Sequence, residues 1–600
     1  MRNDELYTDV RDFLSQSNPD ILRENANKDA KMVNTHRDLL AGILSKHYAN
    51  EVISDDLMKW HNDGYGHIHD LDYYISPLTN CCLVNYPDML ENGFKIGNAQ
   101  IGSPNSIGVA STVLTQIVLA VSAAQYGGQS LAHIDSGLEP YVKKSHIRLL
   151  KEQQKYNLSD EYVIDSLKKE VYDAMQALLY QVNTITSSNG QTPFITISLG
   201  LNKSTYGRMI TDAYLSVHSK GLGVDGHTPV FPKVVFFLEE GTNMNSTDVN
   251  YDLKIKAMEC ASKRIYPDFV SVPLNHAVTG SNVPVTPMGC RSFLSQWMDS
   301  TGVEKYNGRF NLGVVSLNLP LIALESSSDG EFIDKVGEHM DIAFRAQMNR
   351  VERLKHTTAR QNPTLFMEGA LARLGPDETI EQLFYDGYAS ISIGYVGLAE
   401  CSDILKGTQD KDFSISVLNY MKSRCEKYKQ ESRIAFSLYG TPAESLCYKF
   451  AKCIEKKYPS VLKRDFITNS FHQPVWVQGS IFEKFDYESG FAVLSNGGNI
   501  SYVETPNLSS NIKALESIVD YAFHKVPYFG INQPVDKCYS CSFEGEFAVD
   551  KNGFHCPKCN NSDENKMSVI RRVSGYLSSP NSRPFNKGKQ QEVMKRVKHQ

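Results

Sequence analysis

CYSCSFEGEFAVDKNGFHCPKCNNSDENKMSVIRRVSGYL, residues 538–577, sets two motifs one behind the other near the end of a 600-residue chain. Two knuckles, Cys538-x2-Cys541 and Cys556-x2-Cys559, are separated by fourteen residues. Twelve residues after the last cysteine begins Arg571-Arg572-Val573-Ser574-Gly575-Tyr576-Leu577. Four thiolates on tight turns suit tetrahedral Zn²⁺. Gly545, Gly553 and Phe554 between the knuckles fit a short hairpin. The competing reading is two disulfides, but CxxC disulfides brace a fold poorly and nothing here points to an oxidising compartment. A redox role for the knuckles ranks lower still. Four protein ligands leave no open position, so the metal would be structural, folding a segment too small for its own core. On its own RVSGY reads as a turn glycine with positive φ. Its place just behind a zinc ribbon turns the reading towards a stored backbone radical on Gly575. The flanking amides would stabilise the unpaired electron, and no side chain hinders planarity.

Working outward, 41% hydrophobic and 10% aromatic residues describe an ordinary soluble globular protein, and 600 residues leave room for several domains or one large enzyme core. The N-terminus lacks the basic, apolar and small-residue run of a signal peptide. The most apolar stretch, 113–124, is interrupted by Thr115, Gln116 and Ser122 and is too short to span a bilayer. It reads as a buried helix stopped by Gly127-Gly128. Twelve cysteines without a leader imply a reducing, cytoplasmic setting. A net charge of −6 gives no general attraction to nucleic acid. Residues 571–600 hold eight Lys or Arg against Glu592 alone. This tail reads as a solvated arm or a docking strip for an acidic partner, ahead of a nucleic-acid module.

Residues 1–60 look helical and polar. Apolar residues at Ile164, Leu167, Val171, Met175, Leu178 and Val182 predict an amphipathic helix over 160–182, N-capped by Ser159. Short strand-like runs at 194–199, 234–238, 314–319, 391–396 and 434–438, several of them largely apolar, alternate with helical stretches such as 332–353 and 413–428. That alternation predicts an α/β barrel or layered sheet with catalytic groups on the loops.

Four further places invite chemistry. Cys290 sits in Pro287-Met288-Gly289-Cys290-Arg291-Ser292, within a long loop rich in Pro and Gly, where a thiol is available; most lone cysteines are small buried hydrophobes. A radical relay needs that thiol only to meet the glycine and the substrate, with no lowered pKa. The adjacent Cys81-Cys82 cannot both face one way on a strand, so one faces a site and the other the core; a vicinal disulfide would be strained. His67-Ile68-His69-Asp70 puts two histidines on one face, a hydrogen-bonded structural pair ahead of a metal site. Thr441-Pro442-Ala443-Glu444 reads as a capping box with proline at N1, whose helix start also suits a phosphate.

Together these residues resemble the anaerobic (class III) ribonucleoside-triphosphate reductases. The likeness runs essentially along the whole chain: ENANKD at 24–29, HIHD at 67–70, NCCL at 80–83, SSNGQTPF at 187–194, TPMGCRSF at 286–293, NLGVVSLNLP at 311–320, SLYGTPAE at 437–444, the four-cysteine knuckle and RRVSGYL. It is nearest the compact phage-type members without the ATP-cone regulatory domain. The resemblance implies a ten-stranded α/β barrel of two five-stranded halves with a finger loop through its middle. It divides the chain into a catalytic barrel with an N-terminal helical segment (1–530), a zinc ribbon (531–565), and a glycyl radical loop with basic tail (566–600). Carried over, Cys290 at the fingertip becomes the thiyl radical, Gly575 stores the radical, and Cys81 assists reduction. Asn311 and Met288 match the subgroup whose reductant is formate. Ser292 and the segment with Thr441, Ala443 and Glu444 contact substrate, the latter at its phosphates. Ser574 departs from relatives with Cys or Thr at that place, which the chemistry at Gly575 should tolerate.

The family further implies a radical S-adenosylmethionine iron–sulfur activase, deoxynucleoside triphosphate effectors and a homodimer. The helices around 107–125 and 160–182 are apolar enough for its interface. No membrane or nucleic-acid partner is expected. Two rivals remain. A glycyl-radical lyase of the pyruvate formate-lyase type would share Gly575 and a radical cysteine, but the zinc knuckles and the early position of Cys81-Cys82 count against it. A non-catalytic zinc-ribbon protein binding nucleic acid leaves the long central loops unexplained.

Overall fold

The structure is a computed structural model and describes residues 2–17, 33–187, 190, 192–443, 445–550, 553–572, 575–578 and 586–599. The ENANKD segment, Ser188, Asn189, Gln191, Glu444 and Ser574 lie outside the described residues.

Ten strands form the core. The first five are β1 (Cys82–Leu83), β2 (Gln129–Leu131), β3 (Ile195–Leu199), β4 (Lys233–Leu238) and β5 (Asp268–Ser271). They pair in parallel in that order. The second five are β6 (Asn311–Asn318), β7 (Ser390–Val396), β8 (Ala435–Gly440), β9 (Ser501–Glu504) and β10 (Tyr528–Asn532). Here β6, β7 and β8 are parallel, as are β9 and β10. The halves meet antiparallel at both seams. Tyr528 faces Val270 between β10 and β5, and Cys82 bridges Phe310 at the start of β6. Between β8 and β9 the wall is closed by Gly497 N to Leu438 O at 2.7 Å and Gly440 N to Gly498 O at 3.0 Å. This is the α/β barrel of two five-stranded halves that the resemblance implied. Most strand residues are buried on both faces, the pattern expected of parallel strands covered by helices.

The helices largely follow the periodicity. The helix α1 (Ile107–Ala124) packs on α2 (Asp160–Thr184), with Ser111 Oγ donating to Ala174 O at 2.7 Å. Ser159 caps α2, accepting from Tyr162 N at 3.1 Å. Three details differ from expectation. Val163, not Ile164, faces the core; Ile164 is exposed, because the neighbouring helices cover the Val163–Leu167–Val171 stripe. The helix α1 runs six residues further than the apolar run and has the length and apolarity of a membrane span, yet 56% of it is buried within the protein, so core packing accounts for its composition. It ends at an extended Gln125, whose Nε2 donates to Gly127 O and Gly128 O, so the glycine pair opens β2 rather than stopping the helix.

The loop 280–310 enters the barrel as a finger. Its tip is a tight hairpin, Met288 N to Ser292 O at 2.7 Å and Ser292 N to Met288 O at 3.2 Å. Ser130, Thr196 and Lys233 stand level on three adjacent strands, each the Cα partner of the next. All three hold the finger. Ser130 Oγ accepts from Gly289 N at 3.0 Å and donates to Pro287 O at 2.7 Å, Thr196 Oγ1 donates to Gly289 O at 2.6 Å, and Lys233 Nζ donates to Cys290 O at 2.8 Å. On the far side Phe293 N donates to Gly497 O at 3.0 Å. The base is fastened by the fully buried Arg309, whose guanidinium donates to the carbonyls of Ser295, Lys305, Gly387 and Tyr388.

The described part of the basic tail, 586–599, is not a solvated arm. Helix α3 (Lys587–Lys595) is N-capped by Asn586, Lys589 and Glu592 form a buried ion pair, and Arg596 Nη2 donates to Arg572 O at 2.9 Å. His599 N and Glu504 O close the tail onto β9 at 2.8 Å.

Arg309→Ala should cost on the order of 3 kcal/mol, since it strips four buried carbonyls of their donor. The expected readout is a lowered melting temperature together with faster proteolytic cleavage within 280–310. An unchanged melting temperature would contradict the anchoring role.

Candidate active site

Gly575 lies against the fingertip. Its φ is outside the left-handed region, so the turn-glycine reading does not explain it. Close approach does. An added Cβ would stand 2.3 Å from Cys290 Cβ, 3.2 Å from its Cα and 3.4 Å from its Sγ, so no side chain fits there. The two residues, 285 positions apart in the chain, touch directly.

Lys233 joins them. It is fully buried, and Nζ donates to both Gly575 O and Cys290 O at 2.8 Å. Asp268 stands 3.3 Å away. Burial lowers the Lys233 pKa to about 8 against the opposing pull of Asp268. Asp268 also takes both terminal nitrogens of Arg572, at 2.7 and 3.1 Å, and Arg572 Nε donates to Asn532 Oδ1 at 2.6 Å. Next to the glycine, the Tyr576 ring stacks on Phe194 at 4.5 Å and meets Phe231 edge-on at 5.5 Å.

Cys81 and Cys82 divide as expected: Cys82 is fully buried in the core and Cys81 is half-buried at the site. Gly128 N donates to Cys81 Sγ at 3.2 Å, and a Cβ on Gly289 would lie 2.9 Å from that sulfur. Burial pushes the Cys81 thiol up, with the neighbouring Cys290 adding to the effect. Cys290 Sγ lies 3.7 Å from Tyr439 Oη. Asn311 sits beside Cys81: its Nδ2 donates to Ser390 Oγ at 3.0 Å and Ser392 Oγ at 3.2 Å, and its Oδ1 accepts from Asn80 at 3.3 Å. Met288 is fully buried with Leu83, Val285 and Leu294 in a small apolar cluster that also borders Cys81. Ser292 and Tyr439 are both nearly fully buried.

Deeper along β6 and β8, Thr441 Oγ1 and Ser316 Oγ lie 2.8 Å apart, and Ser316 meets His69 Nε2 at 2.9 Å. The following helix starts later than the capping-box reading held: it spans Leu446–Lys457 with Ser445 at its N-cap. Ala443 N is turned back to Thr441 O at 2.9 Å, which makes this stretch a turn tied to the sheet rather than a first helical turn. Glu444 lies outside the described residues. His61, His67 and His69 form a ring column at 4.8 and 4.7 Å. Burial drops His61 and His69 to about 3 and His67 well below its usual range, so all three are neutral at pH 7.

The four knuckle cysteines converge. Their sulfurs lie within 4.8 Å of one another, with Cys538–Cys559 and Cys541–Cys556 at 3.6 Å. A zinc ion about 2.3 Å from each sulfur would set them about 3.8 Å apart, whereas a disulfide needs about 2.05 Å. All four are free thiols, so the disulfide alternative falls and the donor set fits a tetrahedral metal. Among the described residues it is the one His/Cys/Asp/Glu group with such geometry.

The structure thus brings Gly575, Cys290, Cys81, Asn311, Met288 and Ser292 together, with Thr441 and Ala443 further along the same barrel. Lys233, Tyr439 and the Asp268–Arg572 pair escaped the sequence reading. Lys233 at a strand start looks like a solvated end, and only the unusual Lys and Asp opening two apolar strands hinted otherwise.

Residues 24–599 match the family model of anaerobic ribonucleoside-triphosphate reductase. The anaerobic ribonucleoside-triphosphate reductase of Enterobacteria phage T4 is 48% identical over 604 residues, covering 99% of both chains. That of Escherichia coli K12 is 44% identical over 610 residues, 99% of this chain and 85% of the relative. In fold, the chain is similar to the anaerobic ribonucleotide reductase of Thermotoga maritima solved with dATP and CTP, at TM-score 0.68 and 15% identity over 97% of this chain and 98% of that one. It is also similar to a glycyl radical enzyme from Archaeoglobus fulgidus, at TM-score 0.63 and 11% identity over 98% of this chain and 89% of that one. The match along nearly the whole chain, on a barrel with a cysteine fingertip and a four-cysteine ribbon, places this protein in the anaerobic ribonucleoside-triphosphate reductase family.

Proposed function

We propose that this chain reduces ribonucleoside triphosphates to 2′-deoxyribonucleoside triphosphates by glycyl and thiyl radical chemistry with formate as reductant. One observation carries the reading: the direct contact of Gly575 with Cys290, which leaves no space for a Cβ. A radical S-adenosylmethionine iron–sulfur activase removes a hydrogen atom from Gly575 Cα. The glycyl radical takes the hydrogen of the Cys290 thiol, and the thiyl takes the ribose 3′-hydrogen. The 2′-hydroxyl leaves as water after protonation. Formate, assisted by Cys81, supplies two electrons and departs as carbon dioxide, and Cys290 returns the 3′-hydrogen. Asn311, held by Asn80, Ser390 and Ser392, offers its amide beside Cys81, and Met288 walls the same corner. Ser292 and Tyr439 flank the thiol, and the turn at Thr441–Ala443 with the following segment receives the phosphates. Barrel walls that exclude water protect the radicals.

The same reading divides the chain at 530 and 565 into barrel, zinc ribbon, and radical loop with tail. Zinc supplies no chemistry to the reaction; Cys538, Cys541, Cys556 and Cys559 hold the ribbon from which the radical loop departs. Deoxynucleoside triphosphates act as effectors and two chains associate through α1 and α2, where Val109, Tyr162 and Ile164 are exposed. The protein works in the cytoplasm.

Cys290→Ser should leave the glycyl EPR signal after anaerobic activation and reduce turnover below detection; normal turnover would remove Cys290 from the relay. Gly575→Ala should give no stable radical, because it loses the glycyl site and forces a Cβ into Cys290; an undiminished signal would place the spin elsewhere. Stripping zinc with a strong chelator should release about one equivalent of metal per chain and leave the barrel folded, while yield of glycyl radical on activation falls several-fold. Unchanged yield after complete removal would detach the ribbon from the radical loop.

A further inference from the structure

We propose that Lys233 is a positioning residue for the radical relay: its ammonium group holds the backbone carbonyls of Gly575 and Cys290 in one grip, setting the hydrogen-transfer geometry and polarising the carbonyl that shares the glycyl spin. The inference rests on the radical reading above and adds a residue to it.

The geometry is specific. Lys233 has no exposed surface, and its three N–H donors have three acceptors: Gly575 O and Cys290 O at 2.8 Å each, and Asp268 Oδ2 at 3.3 Å. The Tyr528 and Tyr576 rings lie 5.0 and 6.0 Å from Nζ. The backbone of Lys233 is fixed by parallel pairing with Thr196, which itself holds Gly289 O. A buried ammonium is costly unless fully paired. Thr196 and Ser130 show that a neutral hydroxyl is enough to pin the fingertip. A cation at the third position of that row is more than a loop tether needs.

The chemistry supplies the reason. The unpaired electron of a glycyl radical spreads from Cα into its own carbonyl, and a charged donor on that oxygen favours the spread. In the transfer itself the Cys290 S–H bond breaks and the Gly575 Cα–H bond forms. One hydrogen atom moves, the unpaired electron ends on sulfur, and no proton or electron enters or leaves. Lys233 stays protonated throughout and touches both partners, so a change in its position moves donor and acceptor together.

The test uses the full-length protein activated anaerobically with its activating enzyme. Lys233→Met keeps the side-chain length and removes the donor. Asp268 retains Arg572 in this variant, so no buried charge is left unpaired. Turnover per glycyl spin should fall about a hundredfold, the loss expected of a reacting pair displaced by about 1 Å. The KM for nucleotide should stay unchanged, and the hyperfine splitting of the glycyl doublet should shift. Turnover per spin equal to the unmodified protein overturns the proposal. So does lowered turnover with an unchanged spectrum, which marks a merely structural lysine. If the variant does not accumulate radical, unmodified protein labelled with ε-¹⁵N-lysine decides: an electron–nuclear double resonance coupling from ¹⁵N supports the grip, and its absence overturns it. A missing glycyl doublet in the unmodified protein would instead be a failure of the radical reading.

Discussion

The structure turns on one steric fact: two backbones, one from mid-chain and one from near its C-terminus, approach so closely that one of them must lack a side chain. Gly575 is not a glycine because its φ demands it. It is a glycine because Cys290 occupies the place of its Cβ. A backbone contact of this kind forms only if both partners are held rigidly, and each is held by a different part of the protein. The finger is gripped by the level row Ser130, Thr196 and Lys233 and by Gly497 from the opposite wall. The radical loop is gripped through Arg572, which spans Asp268 and Asn532, and through Arg596 of the tail.

That row also explains why the barrel's otherwise apolar strands carry isolated polar residues facing inward. A closed barrel of this size would leave its centre to packed side chains; here the finger fills it, and its backbone polar groups must be satisfied inside. On this side Ser130, Thr196 and Lys233 do this with side chains, while on the other the finger backbone pairs with Gly497 and Gly498. The buried triad Lys233–Asp268–Arg572 combines desolvated charges whose net contribution to stability is small or unfavourable, so its geometry, not its energy, is the better account of its presence.

Much of this was legible in the chain. The four-cysteine spacing carries its own coordination chemistry, and the strands at 195–199, 234–238 and 391–396 announced themselves as short, largely apolar runs between helical stretches. The alternation rule split Cys81 from Cys82 correctly. What failed did so for local reasons. At 441–444 the capping pattern was satisfied in sequence, but Thr441 is claimed by Ser316 across the sheet and the helix waits until Leu446. At 163–164 two adjacent apolar residues fit the periodicity equally, and neighbouring helices chose Val163. The roles of Lys233 and Arg572 were invisible because they depend on partners 342 and 304 residues away, a distance at which no periodicity carries information.

The central claim is that the unpaired electron rests on the Cα of a glycine in contact with Cys290. The most direct measurement is the EPR spectrum of anaerobically activated protein grown with α-deuterated glycine. The doublet of the unlabelled protein should collapse to a single line as its α-hydrogen is replaced. A spectrum unchanged by the label would put the spin on another residue and contradict the account.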